Sequence, residues 1–288
     1  MNFQAYYQYI PGITAIILIA TLSVIFLVRK RTLLKSRPFL YSIPVLIGIA
    51  LLITTFFFTK ALRAEYYFQK SLDSKVIKDI YDNQKLAIIT NPKKDIYRVR
   101  FSQTNLIIAN TVISKSSNQS NQDTAKPVNS LSAEDRQIAT KGIQASLEEA
   151  KAAIKLNDRK AANWANLANI YKNLLNFAEE ADAWSISAYQ RAILLDPKNP
   201  YYHLELGGVY YLLKNYDEAI KKFKETINLS PNLPNAYYNL AWTYFQKGER
   251  AKAISNMETT ISLLTKNKNS DELKRAVADL DRFKDLRK

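Results

Sequence analysis

The sequence predicts an all-α protein in which two transmembrane helices precede an α-solenoid of stacked helix pairs, closed by a C-terminal capping helix. Three observations support this class. Two long apolar runs open the chain, apolar residues farther along recur with a period of 34 positions, and the spacing within each period is helical. The chain has only six glycines in 288 residues, which suits helices better than tight β-hairpins.

Residues 1–60 are predicted to form a transmembrane helical hairpin. The runs 13–28 and 39–58 contain no charged residue, and roughly 20 apolar residues of helix cross a bilayer core. The alternative for the first run is a cleaved signal peptide, which requires a basic stretch ahead of the apolar one. Residues 1–12 contain no Lys or Arg, so we favour a membrane span.

The loop 29–37 predicts how this hairpin is oriented. It carries several basic residues and no acidic one, and positive charge in short loops stays in the cytoplasm. Lys60, Arg63 and Lys70 after the second run favour the opposite orientation, but they are less dense, and long tails cross largely regardless of charge. We therefore expect the loop to be cytoplasmic and the domain that follows to lie outside the cytosol.

Two segments separate the hairpin from the repeats. Residues 61–113 are predicted to be a juxtamembrane helical segment, broken at Asn91-Pro92. Two interpretations of it stay open, a degenerate repeat unit and an unrelated helical spacer. Residues 114–131 are rich in Ser, Asn and Gln and have little to bury, so they predict a polar linker.

The repeats occupy residues 132–268. A shift of 34 positions places Pro200 on Pro234, Leu206 on Leu240, Tyr210 on Tyr244, Ala219 on Ala253 and Ile227 on Ile261. Within a period, residues three and four apart share one helix face. Asn215 follows a short polar break and can cap the second helix, and Pro231 ends the unit. Each unit is therefore predicted to be a helix, a tight turn and a second helix.

This pattern resembles the tetratricopeptide repeat (TPR), whose unit of 34 residues has Leu-Gly-x-x-Tyr, then Ala-x-x-x-Phe and a closing Pro. One unit reads Leu206-Gly207-x-x-Tyr210, Ala219-x-x-x-Phe223 and Pro231; the next keeps Leu240, Tyr244 and Ala253; an earlier one has Trp164, Leu167 and Tyr171. The earlier unit carries extra residues around 176–184, which predict a longer turn. Residues 269–288 are predicted to form the capping helix, because one apolar stripe runs among many charged residues there: Leu273, Val277, Leu280 and Phe283.

The resemblance implies a concave surface lined by the first helix of each unit. Carried over by position, the candidate partner-binding groove consists of Asn169, Tyr201, Leu204, Tyr211, Asn235, Tyr238, Trp242 and Phe245. Some TPR domains clamp a peptide carboxylate there, but only Asn169 matches that set, so chaperone-tail binding is not expected. The aromatic residues suit an extended apolar peptide or a stacked sugar ring. The alternative is that helix 273–283 covers them, or that they are ordinary packing.

Composition excludes several other functions. The chain has no cysteine and one histidine, so disulfides, thiol catalysis and Cys-based zinc sites are excluded, and we expect no catalytic residues, metal or cofactor. The formal net charge is +15, but basic side chains are mixed with acidic ones along the helices. Scattered charge of this kind is typical of solvated helix faces, so nucleic acid is not an expected partner.

These features predict a membrane-anchored TPR scaffold that binds protein or peptide partners and catalyses nothing itself. The alternative comes from a second resemblance. The order of membrane spans, helical segment and TPR array is similar to the C-terminal region of bacterial O-antigen ligase-like membrane proteins. That resemblance implies an accessory part of a glycan-assembly membrane protein.

Overall fold

The computed structural model describes residues 38–119, 131–175, 177–266 and 270–285, and every regular element in these ranges is an α-helix. The helices are α1 (Pro38–Asp73), α2 (Ile77–Thr90), α3 (Asp95–Gln119), α4 (Ala133–Leu156), α5 (Ala161–Asn173), α6 (Ala181–Leu195), α7 (Pro200–Leu212), α8 (Tyr216–Leu229), α9 (Pro234–Gln246), α10 (Arg250–Lys266) and α11 (Ser270–Lys284). The described residues divide into two compact units, one up to Ser146 and one from Leu147, and the division falls within α4.

Helix α1 contains the one helical stretch, within the described ranges, that is long and apolar enough to cross a membrane. By length and composition this stretch is Leu46–Asp73. Most side chains from Leu46 to Phe58 are exposed, and Phe57 is 63% exposed. The predicted second span, 39–58, therefore lies within one continuous helix. The first span, 13–28, and the loop 29–37 lie outside the described residues, so the hairpin stays a prediction.

The first unit packs the second half of α1 against α2 and α3. Its core consists of Ala64, Phe68, Ala87 and Tyr97, and the rings of Phe68 and Tyr97 lie 4.7 Å apart. Small alanines let the helices approach closely while the two rings fill the space between them. Whether this bundle is a degenerate repeat or an unrelated spacer is left open by its packing.

The turns of the first unit follow the expected signals. Helix α2 ends at Thr90, immediately before Asn91-Pro92, because the residue before a proline is biased away from the helical region. Helix α3 continues to Gln119, into the stretch 114–131 predicted as a linker. The hydroxyl of Ser114 donates to the carbonyl of Thr111 at 3.1 Å, so this serine is accommodated on the helix.

The second unit stacks three helix pairs, with α5 packed on α6, α7 on α8 and α9 on α10, and α11 packed on α10. Between the pairs, α6 contacts α7 and α8 contacts α9. The turn between α5 and α6 is longer than its two counterparts, as the extra residues predicted. The core includes Phe223, Leu240, Met257 and Phe283, each almost fully buried.

Helix caps identified in the sequence are present. The side chain of Asn215 accepts a bond from the backbone N–H of Glu218 at 3.4 Å, at the start of α8. Ser132 accepts from the backbone N–H of Asp135 at 3.0 Å and donates to the Asp135 carboxylate at 2.8 Å, at the start of α4. The two bonds from backbone N–H groups satisfy donors at helix starts that lack partners within the helix.

Candidate partner-binding groove

The groove lies along α5, α7 and α9, the first helices of the three pairs. The starts of α7 and α9 are fixed by the chain itself, because Pro200 and Pro234 occupy the first helical positions, where a missing N–H has no cost. Asn199 also caps α7 by accepting from the backbone N–H of Tyr201 at 3.1 Å. The matching starts place residues 34 apart at equivalent positions on α7 and α9.

Two cavities open on this face, and together they form one groove. The first, of about 450 Å³, is lined by Lys172, Gly208, Tyr211, Leu212, Phe223, Tyr238, Asn239 and Trp242. The second, of about 390 Å³, is lined by Lys172, Leu204, Glu205, Gly208, Asn235, Tyr238, Asn239, Thr260, Leu264, Glu272 and Arg275. The cavities are adjacent, because four residues line both: Lys172, Gly208, Tyr238 and Asn239.

Two adjacent glycines of α7 have different roles. A Cβ on Gly207 would lie 2.6 Å from Cε1 of Phe223, so only glycine lets α7 approach α8 this closely. A Cβ on Gly208 would have no neighbour within 4 Å, because this residue faces the open groove. Gly207 is therefore required by packing, whereas Gly208 lines the groove and leaves open space above α7.

At the charged end of the groove, Glu205 contacts both Lys172 and Tyr189. Its carboxylate is 2.5 Å from Nζ of Lys172, which connects α5 to α7. Burial, together with the charge of Glu205 and a hydrogen bond to it, raises the pKa of Tyr189 far above that of a free phenol. Tyr189 therefore stays protonated, and Glu205 has both a phenol and an ammonium group as partners.

The capping helix α11 covers part of the aromatic surface. Phe283 is fully buried, with its ring stacked on Phe245 at 4.4 Å and edge-on to Trp242 at 5.0 Å. The guanidinium group of Arg282 lies 5.2 Å from the centre of the Trp242 ring. Helix α11 thus covers Phe245 and part of Trp242, as one of the alternatives predicted. Leu212 remains 57% exposed.

The predicted groove residues are distributed unevenly. Tyr211, Tyr238 and Trp242 line the larger cavity, and Leu204 and Asn235 join Tyr238 in the smaller one. The remaining three lie outside both cavities: Asn169 is half-buried on α5, Tyr201 is 58% exposed at the start of α7, and Phe245 packs on Phe283. The role of all eight in binding stays a prediction.

Several lining residues were missed by the sequence analysis. Glu205, Glu272 and Arg275 lie outside the family positions used to select candidates, and α11 supplies two of them. The apolar stripe of α11 could have indicated them, because a capping helix that packs like a further first helix places its own side chains beside the groove.

The single histidine lies outside both cavities. His203 is buried, with Nδ1 2.9 Å from the carboxylate of Glu225 and Nε2 3.2 Å from the carbonyl of Pro197. Burial raises the pKa of Glu225, but hydrogen bonds from Lys222 and His203 outweigh burial and lower it overall. Within the described ranges, no group of three or more His, Asp or Glu residues could hold a metal ion.

These features define the class of the second unit as an α-solenoid of helix pairs with a concave groove. Comparison with known proteins identifies the repeat. Residues 208–248 match a family model described as TPR repeat, and residues 234–263 match one described as tetratricopeptide repeat. Residues 208–263 therefore carry tetratricopeptide repeats, as the motifs in that part of the sequence predicted.

Other known proteins are similar to this chain in sequence or in fold. A TPR repeat-containing thioredoxin of Arabidopsis thaliana is 29% identical over 103 residues, which is 36% of this chain and 14% of that protein. A thermophilic TPR protein of Thermus thermophilus has a TM-score of 0.54 at 16% identity, covering 75% of this chain and 98% of that one. Pseudomonas aeruginosa pilF has a TM-score of 0.51 at 13% identity, covering 78% and 94%. At these identities the structural likeness shows the fold alone.

Proposed function

We propose that this chain is a membrane-anchored TPR scaffold that binds an extended segment of a protein partner in its groove and has no reaction of its own. One observation carries the groove part of the proposal. The two cavities share Lys172, Gly208, Tyr238 and Asn239, so they lie side by side along α5, α7 and α9. An extended concave surface is what repeat proteins use to bind extended ligands.

The lining favours a peptide with at least one apolar side chain. That side chain would lie over Gly208, between the rings of Tyr211 and Trp242. The side-chain amides of Asn235 and Asn239, both on α9, supply donors and acceptors for the peptide backbone. A stacked sugar ring, the other ligand predicted, is less favoured because Phe283 and Arg282 already occupy positions against Trp242.

The experiment is a selection of peptides from a displayed library on the full-length protein in detergent. We expect selected peptides to share an apolar residue and to lose affinity by about tenfold or more in Gly208→Leu. This substitution adds volume to the groove at a position where a Cβ would have no neighbour within 4 Å. The control is Lys224→Leu, an exposed site on α8. Equal affinity for the wild type and Gly208→Leu would reject the groove as the binding site.

The anchoring part of the proposal is supported by α1. Its exposed apolar side chains from Leu46 to Phe58 would face lipid rather than water, and its length is sufficient to cross a bilayer core. The proposed orientation places loop 29–37 in the cytoplasm and the repeats outside. Protease added to spheroplasts tests this orientation, because a protected 132–288 fragment would place the repeats inside.

The alternative from the sequence, an accessory part of a glycan-assembly membrane protein, stays a prediction. The family models and relatives described above concern TPR repeats. They do not bear on the resemblance to O-antigen ligase-like proteins. We therefore keep the scaffold as the proposed function.

A further inference from the structure

Helix α1 changes its surroundings along its length. Up to Phe58 most of its described side chains are exposed and apolar, whereas Ala64 and Phe68 are buried against α2 and α3. No break separates the two halves, because α1 is one continuous helix from Pro38 to Asp73. The three-helix bundle of the first unit therefore begins within two helical turns of the end of the apolar stretch.

The turn between α2 and α3 lies beside the part of α1 where the apolar stretch ends and the bundle begins. Nζ of Lys94 lies 3.4 Å from the carboxylate of Glu65 on α1, and the hydroxyl of Tyr97 donates to that carboxylate at 2.7 Å. Glu65 is six residues beyond Thr59, a rise of about 9 Å along the helix. The turn 91–94 thus lies close to the plane in which the apolar stretch ends.

The surface at this end of the bundle is basic with one protruding apolar side chain. We call it the basal surface and define it by Lys60, Arg63, Ile89, Lys93 and Lys94, all of which are exposed. Ile89 is 66% exposed in the last turn of α2. The acidic groups at this end, Glu65 and Asp95, are engaged, the first by Lys94 and Tyr97 and the second by the backbone N–H of Ile96.

We propose that the basal surface lies on the bilayer and binds anionic lipid headgroups, with Ile89 inserted among them. This inference rests on the proposed anchoring by α1, which brings the surface to the membrane. Lys and Arg near a bilayer are attracted to negatively charged headgroups and donate hydrogen bonds to their phosphates. An isoleucine side chain at the same level adds apolar surface that a bilayer interface accepts and water does not.

The absence of cysteine makes the test direct, because single cysteines can be labelled in the full-length protein. A fluorophore is attached at Pro92→Cys, in the turn 91–94, or at Lys75→Cys, in the turn at the opposite end of the bundle. The protein is reconstituted in nanodiscs of phosphatidylcholine, with or without phosphatidylglycerol, that contain lipids with a nitroxide on the headgroup. We expect at least threefold stronger quenching at 92 than at 75, and a further increase at 92 when phosphatidylglycerol is present.

Two matched charge variants identify the cause. Replacing Lys60, Lys93 and Lys94 by Gln should abolish the response of the label at 92 to phosphatidylglycerol. Replacing Lys70, Lys75 and Lys78 by Gln removes the same charge elsewhere on the bundle and should leave the response intact. Equal quenching at 92 and 75, or equal quenching in neutral and anionic nanodiscs, would overturn the proposal.

A third label separates this proposal from the anchoring on which it depends. A fluorophore at Phe57→Cys should be quenched by nitroxides placed on the acyl chains if α1 is inserted. Quenching there without quenching at 92 would reject the basal surface and retain the anchor. No quenching at Phe57→Cys would reject the anchor itself, and the basal surface with it.

Discussion

The hydroxyl of Tyr238 in α9 donates a 2.6 Å hydrogen bond to Oδ2 of Asp279 in α11. Burial and this bond together raise the pKa of Tyr238, so the phenol remains protonated at neutral pH and continues to donate. Tyr238 also lines both cavities. One side chain therefore forms part of the groove wall and holds the capping helix in place.

Replacing Tyr238 by Phe should weaken the attachment of the capping helix, because the hydroxyl is lost, while the ring that lines the groove remains. Loss of a hydrogen bond of this kind costs about 1 kcal/mol in the free energy of unfolding, and amide hydrogen exchange in α11 should accelerate. Tyr201→Phe is the control, since that side chain is 58% exposed and its change should stay within about 0.5 kcal/mol. Unchanged exchange in α11 would mean that the Asp279 bond does not hold the helix.

Phe283→Ala should have a larger effect, because this ring is fully buried between Trp242 and Phe245. Truncating a buried Phe costs about 3–5 kcal/mol. All three tryptophans lie in residues 147–288, so urea unfolding followed by tryptophan fluorescence reports on the second unit. The control Val277→Ala removes a side chain on α11 that is 42% exposed and should cost far less. Comparable losses in the two variants would contradict the packing described.

The adjacent glycines of α7 predict opposite outcomes for the same substitution. Gly207→Ala places a Cβ against the Phe223 ring, and overpacking costs about 1–3 kcal/mol. Gly208→Ala meets no neighbour within 4 Å, and should gain up to about 1 kcal/mol because Ala is a better helix former. Urea titrations of the two variants compare them directly. A similar sign for both would show that α7 is not seated on α8 in this way.

The turns within the second and third helix pairs differ at equivalent positions. Lys214 has a φ of 58°, and Gly248, 34 residues later, has a φ of 84°. The left-handed region costs a residue with a side chain about 1–2 kcal/mol, whereas glycine adopts it readily. Gly248→Lys should therefore lower the free energy of unfolding by about 1 kcal/mol, and Lys214→Gly should raise it. Losses in both variants would show that side-chain contacts, not backbone conformation, decide these positions.

Glu225 predicts a pH dependence. Burial opposes its ionisation, but bonds from Lys222 and His203 lower its pKa overall below the ordinary 4.5. A carboxyl whose pKa is lower in the folded state stabilises the fold above its unfolded pKa, and this contribution is lost as the pH falls through the folded value. The stability difference between the wild type and Glu225→Gln should therefore narrow below about pH 4.5. Urea unfolding across pH 3–6 measures it, and a constant difference would contradict the assignment.

The repeats were predictable because each signal for them is local. Asn215 caps α8 in the structure, and the offset of 34 that pairs Leu206 with Leu240 reappears in matching helix bounds. Such signals depend on residues within one or two turns of each other, which the sequence displays directly. The break after Thr90 is of the same kind, since it follows from Asn91-Pro92.

The groove was less predictable because its contacts join distant parts of the chain. Lys172 pairs with Glu205 across 33 residues, and Phe283 reaches Trp242 from the far end of the chain. The sequence spacing of these two pairs does not distinguish them from the many other Lys–Glu and aromatic pairs that the chain could form. Helix periodicity showed that α11 would have an apolar stripe. It did not show that Asp279 and Arg275 would reach Tyr238 and the smaller cavity.

The continuity of α1 has a mechanical consequence. The part of α1 that packs on Tyr97 and Ala87 continues directly from its apolar part. No loop therefore joins the two parts. A tilt of the apolar half would reorient α2 and α3 with it. Under the anchoring proposed above, the orientation of the first unit therefore depends on the tilt of α1 in the bilayer.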